Sequence, residues 1–186
     1  MKMITGFILG VLLTNSFAYI FYHEDKDHVL DSISKLSSLG VYVGMVSKVS
    51  DGDTFHVKTA SGYKKVRLYG VDAPEMKQKG GKEIYKRVES LLLDKKVIVS
   101  EQTTDKYGRA VAQILLFTKS DKKQDVGAML LEKGMVWYTP RYCKKQDPCD
   151  GYAMLFDKVK NQKIGIFKDK DIQSPEEWRR KHKRNF

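Results

Sequence analysis

The chain has 186 residues, 41% of them apolar and 31% charged, with a formal net charge of +11. Those proportions exclude a disordered protein and suit one globular domain with a real core and an appendage. Three Lys against four Asp or Glu in residues 1–40 leave +12 on residues 41–186, which points to a polyanionic partner, nucleic acid or an anionic membrane surface.

Met1 and Lys2 precede an apolar run from Met3 to Tyr22, broken by Thr5, Gly6, Gly10 and Thr14-Asn15-Ser16. Two readings of residues 1–22 stand side by side. Ile4 to Leu13 can serve as the apolar region of a signal peptide, with Ser16-Phe17-Ala18 offering a cleavage site that removes residues 1–18. Alternatively the run stays uncleaved as a transmembrane anchor, since about 20 apolar residues span a bilayer. The run continues past the candidate cut through Ile20 and Phe21, which favours the anchor. Both readings export the remainder of the chain, as a membrane-anchored, secreted or periplasmic domain. Residues 23–40 are polar and then mildly amphipathic (Val29, Ile33, Leu36), a spacer with one helical stretch before the domain at 41–186.

Within that domain, alternation of apolar and polar side chains predicts strands over Val41–Val49, Thr54–Thr59, Tyr63–Tyr69, Val97–Ser100 and Arg109–Phe117. Asp51-Gly52 between the first two is a strong hairpin signal. Met76 to Gly81, rich in Lys and Gly, predicts a mobile, solvent-exposed loop. Ile84, Val88, Leu91 and Leu92 mark an amphipathic helix over Lys82–Leu93. Asp125 is placed to cap a helix over Val126–Lys133, with Gly134 at its C′ position. Asp150 can cap a third, whose apolar face is Tyr152, Leu155, Phe156 and Val159. Ser174-Pro175-Glu176-Glu177 opens a last helix that Trp178 would dock. Five strands with a helix between the third and fourth is the order of a five-stranded Greek-key barrel of the OB type, an α+β fold.

The chemistry concentrates in three segments. In Val66-Arg67-Leu68-Tyr69-Gly70-Val71-Asp72-Ala73-Pro74-Glu75, alternation sets Val66 and Leu68 on one face and Arg67 and Tyr69 on the other. Gly70 and Pro74 then end the strand, leaving Asp72 and Glu75 on the turn beyond it. A cation beside two anions suits a phosphate held against a hard metal ion. Asp51-Gly52-Asp53-Thr54 adds carboxylates on another turn. Hard oxygen donors select Ca²⁺ or Mg²⁺, and nothing in the spacing of the two Cys and four His suggests a zinc site. Thr104-Asp105-Lys106-Tyr107-Gly108-Arg109 brings a second arginine to the start of a strand, and a pair of guanidiniums can each grip a phosphate bidentately.

Asp-Gly-Asp-Thr, Arg-Leu-x-Gly-Val-Asp-Ala-Pro-Glu and Asp-Lys-Tyr-Gly-Arg, in this order and spacing, resemble the staphylococcal-nuclease-like (thermonuclease) family over about Val43 to Trp178. The resemblance implies an OB-type barrel with three helices and a Ca²⁺-dependent phosphodiesterase acting on DNA and RNA and leaving 3′-phosphate ends. It further implies that Asp53, Asp72 and the backbone carbonyl of Ala73 bind the metal. Glu75 would position or deprotonate the attacking water. Arg67 and Arg109 would bind the phosphate and stabilise its developing charge, with Lys106 and Tyr107 near the substrate. Pro140 alters the local pattern, so Tyr138 and Tyr142 receive no role. In an exported domain the pair Cys143 and Cys149 reads as a disulfide rather than two free thiols. The expected state is a monomer. The competing reading is a non-catalytic nucleic-acid-binding OB module tethered to a membrane, against which all five catalytic and metal side chains are present. A protein binding lipid head groups through its basic face would leave the acidic cluster unexplained.

Overall fold

The computed structural model describes residues 31–32, 34–118, 122–143 and 148–182. The N-terminal apolar run therefore lies outside the described residues, and among the described residues no helix is long and apolar enough to cross a membrane. Residues 31–32 and 34–38 are helical. A separate compact unit begins at Gly40.

That unit is built on β1 (Val41–Asp51), β2 (Thr54–Thr59), β3 (Gly62–Leu68), β5 (Lys96–Thr104) and β6 (Ala110–Phe117), with a short β4 (Val71–Asp72) and α1 (Gly81–Leu92) between β3 and β5. Then come β7 (Lys123–Asp125), α2 (Val126–Glu132), β8 (Trp137–Tyr138), α3 (Cys149–Asn161) and α4 (Pro175–Lys181). The sheet order is β3-β2-β1-β5-β6-β7, and a further β3–β6 pairing closes the first five into the expected barrel. β1 serves both sides. Its first half pairs with β5, from Val41↔Ser100 to Met45↔Lys96, and its second half pairs with β2 across two register shifts. Such irregularities bend a strand and let one long segment turn the corner between neighbours. The closing pair is parallel, with Val66↔Ala110, Arg67↔Val111 and Leu68↔Ala112 in register.

Strand periodicity fills the interior. Val46, Val49, Phe55, Val57, Val66, Leu68, Val97, Val99, Ala112 and Ile114 all point inward and are buried. α1 adds Ile84, Val88 and Leu92, and α2 adds Met129, Leu130 and Leu131 to the same core. Asp125 caps α2 as predicted, accepting from the Ala128 N–H at 2.8 Å, and it also accepts from the Tyr152 hydroxyl at 2.6 Å. One carboxylate thus joins α2 to α3. Ser174 caps α4 in a full capping box with Glu177, and Pro175 stands at the first turn, as Ser-Pro-Glu-Glu implies.

Several expectations need correction. α3 begins at Cys149 with Pro148 at its cap position, so Asp150 lies inside the first turn and does not cap it. β5 continues to Thr104, well past Ser100, because β6 supplies partners along its whole length. The face opposite Val66 and Leu68 is covered at Tyr69. Leaving β3, Tyr69 packs with Val111 and Cys149 and is buried. The loop before α1 is exposed at Met76, Lys77 and Lys79, as expected, but not throughout. Gln78 within it is buried and donates through Nε2 to the Gln173 carbonyl at 2.7 Å. Local patterning also missed β7 and the two-stranded pairing of β4 with β8.

Gly134 shows how tightly the helical side is fitted. It has φ of +60°, and a Cβ there would lie 2.3 Å from the Ile164 carbonyl oxygen. Left-handed strain alone costs roughly 1–3 kcal/mol for a non-glycine residue. Gly134→Ala is therefore expected to cost about 3 kcal/mol or more in urea unfolding, where the strain adds to the clash with a backbone atom.

Candidate active site

The site lies where the β1–β2 turn, the end of β3, β4 and the start of β6 meet. The turn places Asp53 on the barrel rim, and its carbonyl accepts from the Leu68 N–H at 2.8 Å. Gly52 makes the approach possible, since a Cβ there would sit 2.6 Å from that of Ala73. The Asp53 side chain is buried but well partnered. Its Oδ2 accepts from the Ala73 N–H at 2.8 Å, and its Oδ1 accepts from the Thr54 hydroxyl at 3.0 Å and from Arg67. Burial pushes the Asp53 carboxyl up to about 6, against the opposing pull of Arg67.

Arg67 stands opposite Thr54 in the β2–β3 ladder. Its guanidinium bridges Asp53 and Asp72, meeting Asp72 Oδ1 at 2.8 Å. Burial alone would lower the Arg67 pKa, but the two carboxylates raise it above its ordinary value and keep the group charged. Asp72 is held by β4, in register with Trp137 of β8. Glu75 follows Pro74 into a tight loop. Its N–H donates to Gln78 Oε1 at 3.2 Å, and its carbonyl accepts from the Gln78 N–H at 2.8 Å. The start of α1 comes so close that a Cβ on Gly81 would lie 1.8 Å from the Glu75 carbonyl oxygen.

Arg109 arrives from the turn before β6. Asp105 Oδ2 accepts from its Nε at 2.7 Å and lies 2.7 Å from a terminal nitrogen, while the other terminal nitrogen donates to the Thr54 hydroxyl at 3.3 Å. The Tyr107 ring is exposed, with the Arg109 guanidinium 5.5 Å and the Lys106 ammonium 5.0 Å from its centroid. All of the predicted catalytic, metal and substrate residues thus line one open cleft of about 740 Å³: Asp53, Arg67, Asp72, Ala73, Glu75, Lys106, Tyr107 and Arg109. Cys143 and Cys149 lie elsewhere, joined in a disulfide.

Sequence reasoning missed three contributors. Asp105 holds Arg109 and was legible as part of its motif, though no role was given to it. Gln78 anchors the Glu75 loop. Arg179 of α4 also enters the cleft, meeting Asp72 Oδ2 at 2.6 Å and Glu75 Oε1 at 2.7 Å. The result is a continuous alternation of charges and hydroxyl: Asp105, Arg109, Thr54, Asp53, Arg67, Asp72, Arg179, Glu75.

Among the described residues, no group of three or more His, Cys, Asp or Glu is assembled as a metal cluster. Asp53 and Asp72 nonetheless share one guanidinium and so lie side by side. Carboxylate oxygens are the donors a hard divalent ion takes, and here Arg67 occupies Oδ1 of both.

A closed OB-type barrel whose rim cleft interleaves arginines with carboxylates defines a phosphoryl-handling class of site. The family described as staphylococcal nuclease homologue matches residues 65–169. A micrococcal nuclease of Shigella flexneri is 30% identical over 145 residues, covering 75% of this chain and 82% of that protein. An uncharacterized endonuclease of Haemophilus influenzae is 31% identical, covering 76% of this chain and 75% of its own. A probable endonuclease of Yarrowia lipolytica is 26% identical over 95% of this chain and 92% of its own. The chain belongs to the staphylococcal nuclease family and is a nuclease of that family.

The Asp105–Arg109 pair gives a pH test. Burial alone would raise the Asp105 carboxyl. Hydrogen bonds from the backbone and side chain of Arg109 and the backbone of Tyr107 outweigh it and hold the group below its ordinary value. A depressed folded-state pKa contributes stability in full above the unfolded value of about 3.9, and loses it as pH falls through the folded value. Asp105→Asn is expected to lower Tm at neutral pH and to flatten its decline below about pH 4. Thermal unfolding across that range measures both.

Proposed function

We propose that the chain is a Ca²⁺-dependent phosphodiesterase that cuts DNA and RNA with little sugar specificity. The observation that carries this reading is the convergence of Arg67, Arg109, Asp53, Asp72 and Glu75 on one cleft. Asp53, Asp72 and the Ala73 carbonyl would hold Ca²⁺. When bound, the ion supplies positive charge to the phosphoryl oxygens and acidifies water.

The protein's own groups account for the rest. Arg67 and Arg109 grip the phosphodiester through forked N–H donors and neutralise charge as it develops on the equatorial oxygens. Glu75 orients water in line with the leaving oxygen and takes its proton. The new O–P bond forms as the P–O5′ bond breaks, the leaving oxygen picks up a proton, and a 3′-phosphate remains. Tyr107, exposed beside Lys106, offers a face on which a base can stack without regard to sequence. Lack of sugar specificity fits a cleft whose charges address phosphate.

Digestion of plasmid and RNA with Ca²⁺, with chelator, and with Glu75→Gln tests the reading. Activity should vanish in chelator and return with Ca²⁺. Glu75→Gln should cut turnover by roughly 10²–10⁴-fold while substrate binding is nearly kept. Wild-type protein that leaves both polymers intact in millimolar Ca²⁺ would instead support a nucleic-acid-binding module without catalysis.

Export belongs to the same proposal. The apolar N-terminal run and the Cys143–Cys149 bond both favour a domain outside the cytoplasm, tethered or released. The reading takes the chain as a monomer. Thiol labelling of the native, non-reduced protein from its host should find no reactive cysteine. Two reactive thiols would argue against export.

A further inference from the structure

The family match ends at residue 169, and α4 begins at Pro175. Even so, α4 reaches the centre of the cleft. The two terminal nitrogens of Arg179 meet Asp72 Oδ1 at 3.2 Å and Oδ2 at 2.6 Å, and one of them meets Glu75 Oε1 at 2.7 Å. Arg180 and Lys181 beside it remain more open to solvent, whereas the Arg179 guanidinium is taken up by the two carboxylates. The contact is built from both sides. The Ser174 capping box fixes the start of α4, and Gln78 ties the Glu75 loop to the Gln173 carbonyl one residue before that cap.

We propose that Arg179 is a positioning residue of the catalytic centre, one that shares Asp72 with the divalent ion and holds Glu75 in place. This rests on the reading of Asp72 as a metal ligand and Glu75 as the water-orienting carboxylate. Arg179 then acts on the two groups in opposite senses. It takes an N–H contact on each oxygen of Asp72, and its charge opposes a second cation there, so it weakens ion binding. It also fixes the Glu75 carboxylate from outside the loop that carries it, so it speeds turnover. A residue that merely stabilised the fold would weaken both when lost.

Calorimetric Ca²⁺ titration without nucleic acid, on wild type, R179M, R179Q, R179K and D53N, reads the first effect. R179M and R179Q should bind Ca²⁺ roughly 10–100-fold more tightly, the scale of losing a competing charge-assisted contact. R179K keeps the charge and should stay near wild type. Turnover of DNA reads the second effect. R179M should lose roughly 10–100-fold in kcat, with R179K between it and wild type. In an E75Q background the same substitution should change kcat little, because Arg179 acts through Glu75. Thermal unfolding of each variant separates these effects from misfolding, and R179Q serves if R179M does not fold. If Ca²⁺ binds wild type, is lost in D53N and is unchanged or weaker in R179M and R179Q, the inference falls and the proposed function stands. If wild type binds no Ca²⁺, or D53N binds it equally, the metal reading itself falls and takes the inference with it.

Discussion

The buried pairing of Arg67 with Asp53 and Asp72 is the interaction on which the site depends. Burying a carboxylate costs several kcal/mol unless charge and hydrogen bonds offset it. Asp53 meets that condition with a guanidinium, a hydroxyl and a backbone N–H, and its raised pKa records how much desolvation remains. Removing Arg67 would take from both carboxylates the cation they share. The group that binds phosphate in the proposed mechanism is therefore also the group that lets the acids stay buried. The rim is built for binding charge, at the expense of a more economical apolar core.

Barrel closure is what brings the arginines together. β3 and β6 are separated by β4, α1 and β5 in the chain, yet their parallel pairing sets Arg67 in register with Val111, two positions beyond Arg109. The antiparallel β5–β6 ladder positions the turn containing Asp105. Asp105 in turn aims Arg109 toward Thr54, which hydrogen-bonds to Asp53. Barrel topology, one threonine hydroxyl and alternating charge thus link residues from distant segments into one network. A change at Asp105 or Thr54 would be felt at Asp53 without either touching a phosphate.

The acidic loop is held differently. Glu75 lies in a turn whose backbone is fixed by Gln78 and crowded by Gly81. Its carboxylate is reached by a helix far along the chain. Basic residues dominate the domain as a whole, but the centre itself interleaves both signs. That division suits a protein that gathers a polyanion over its surface and keeps carboxylates for a cation and a water molecule.

By itself the sequence determined what depends on neighbours a few positions apart. The Asp51-Gly52 turn, the alternation that buries Val66 and Leu68 around Arg67, the Asp125 cap and the Ser174-Pro175 start of α4 all rest on local backbone geometry and periods of 2 or 3.6. The three ordered motifs further placed the barrel and the cleft residues through family resemblance. Only the tertiary structure decided that Gln78 would be buried, that Tyr69 would be covered by Val111 and Cys149, and that β8 would pair along Asp72. It alone decided that Arg179 would meet Asp72, 107 positions away. A capping box fixes where a helix starts but not which carboxylate its side chains will find. That choice belongs to the packing of α4 against a loop pinned by Gln78, a long-range contact with no local signal to announce it.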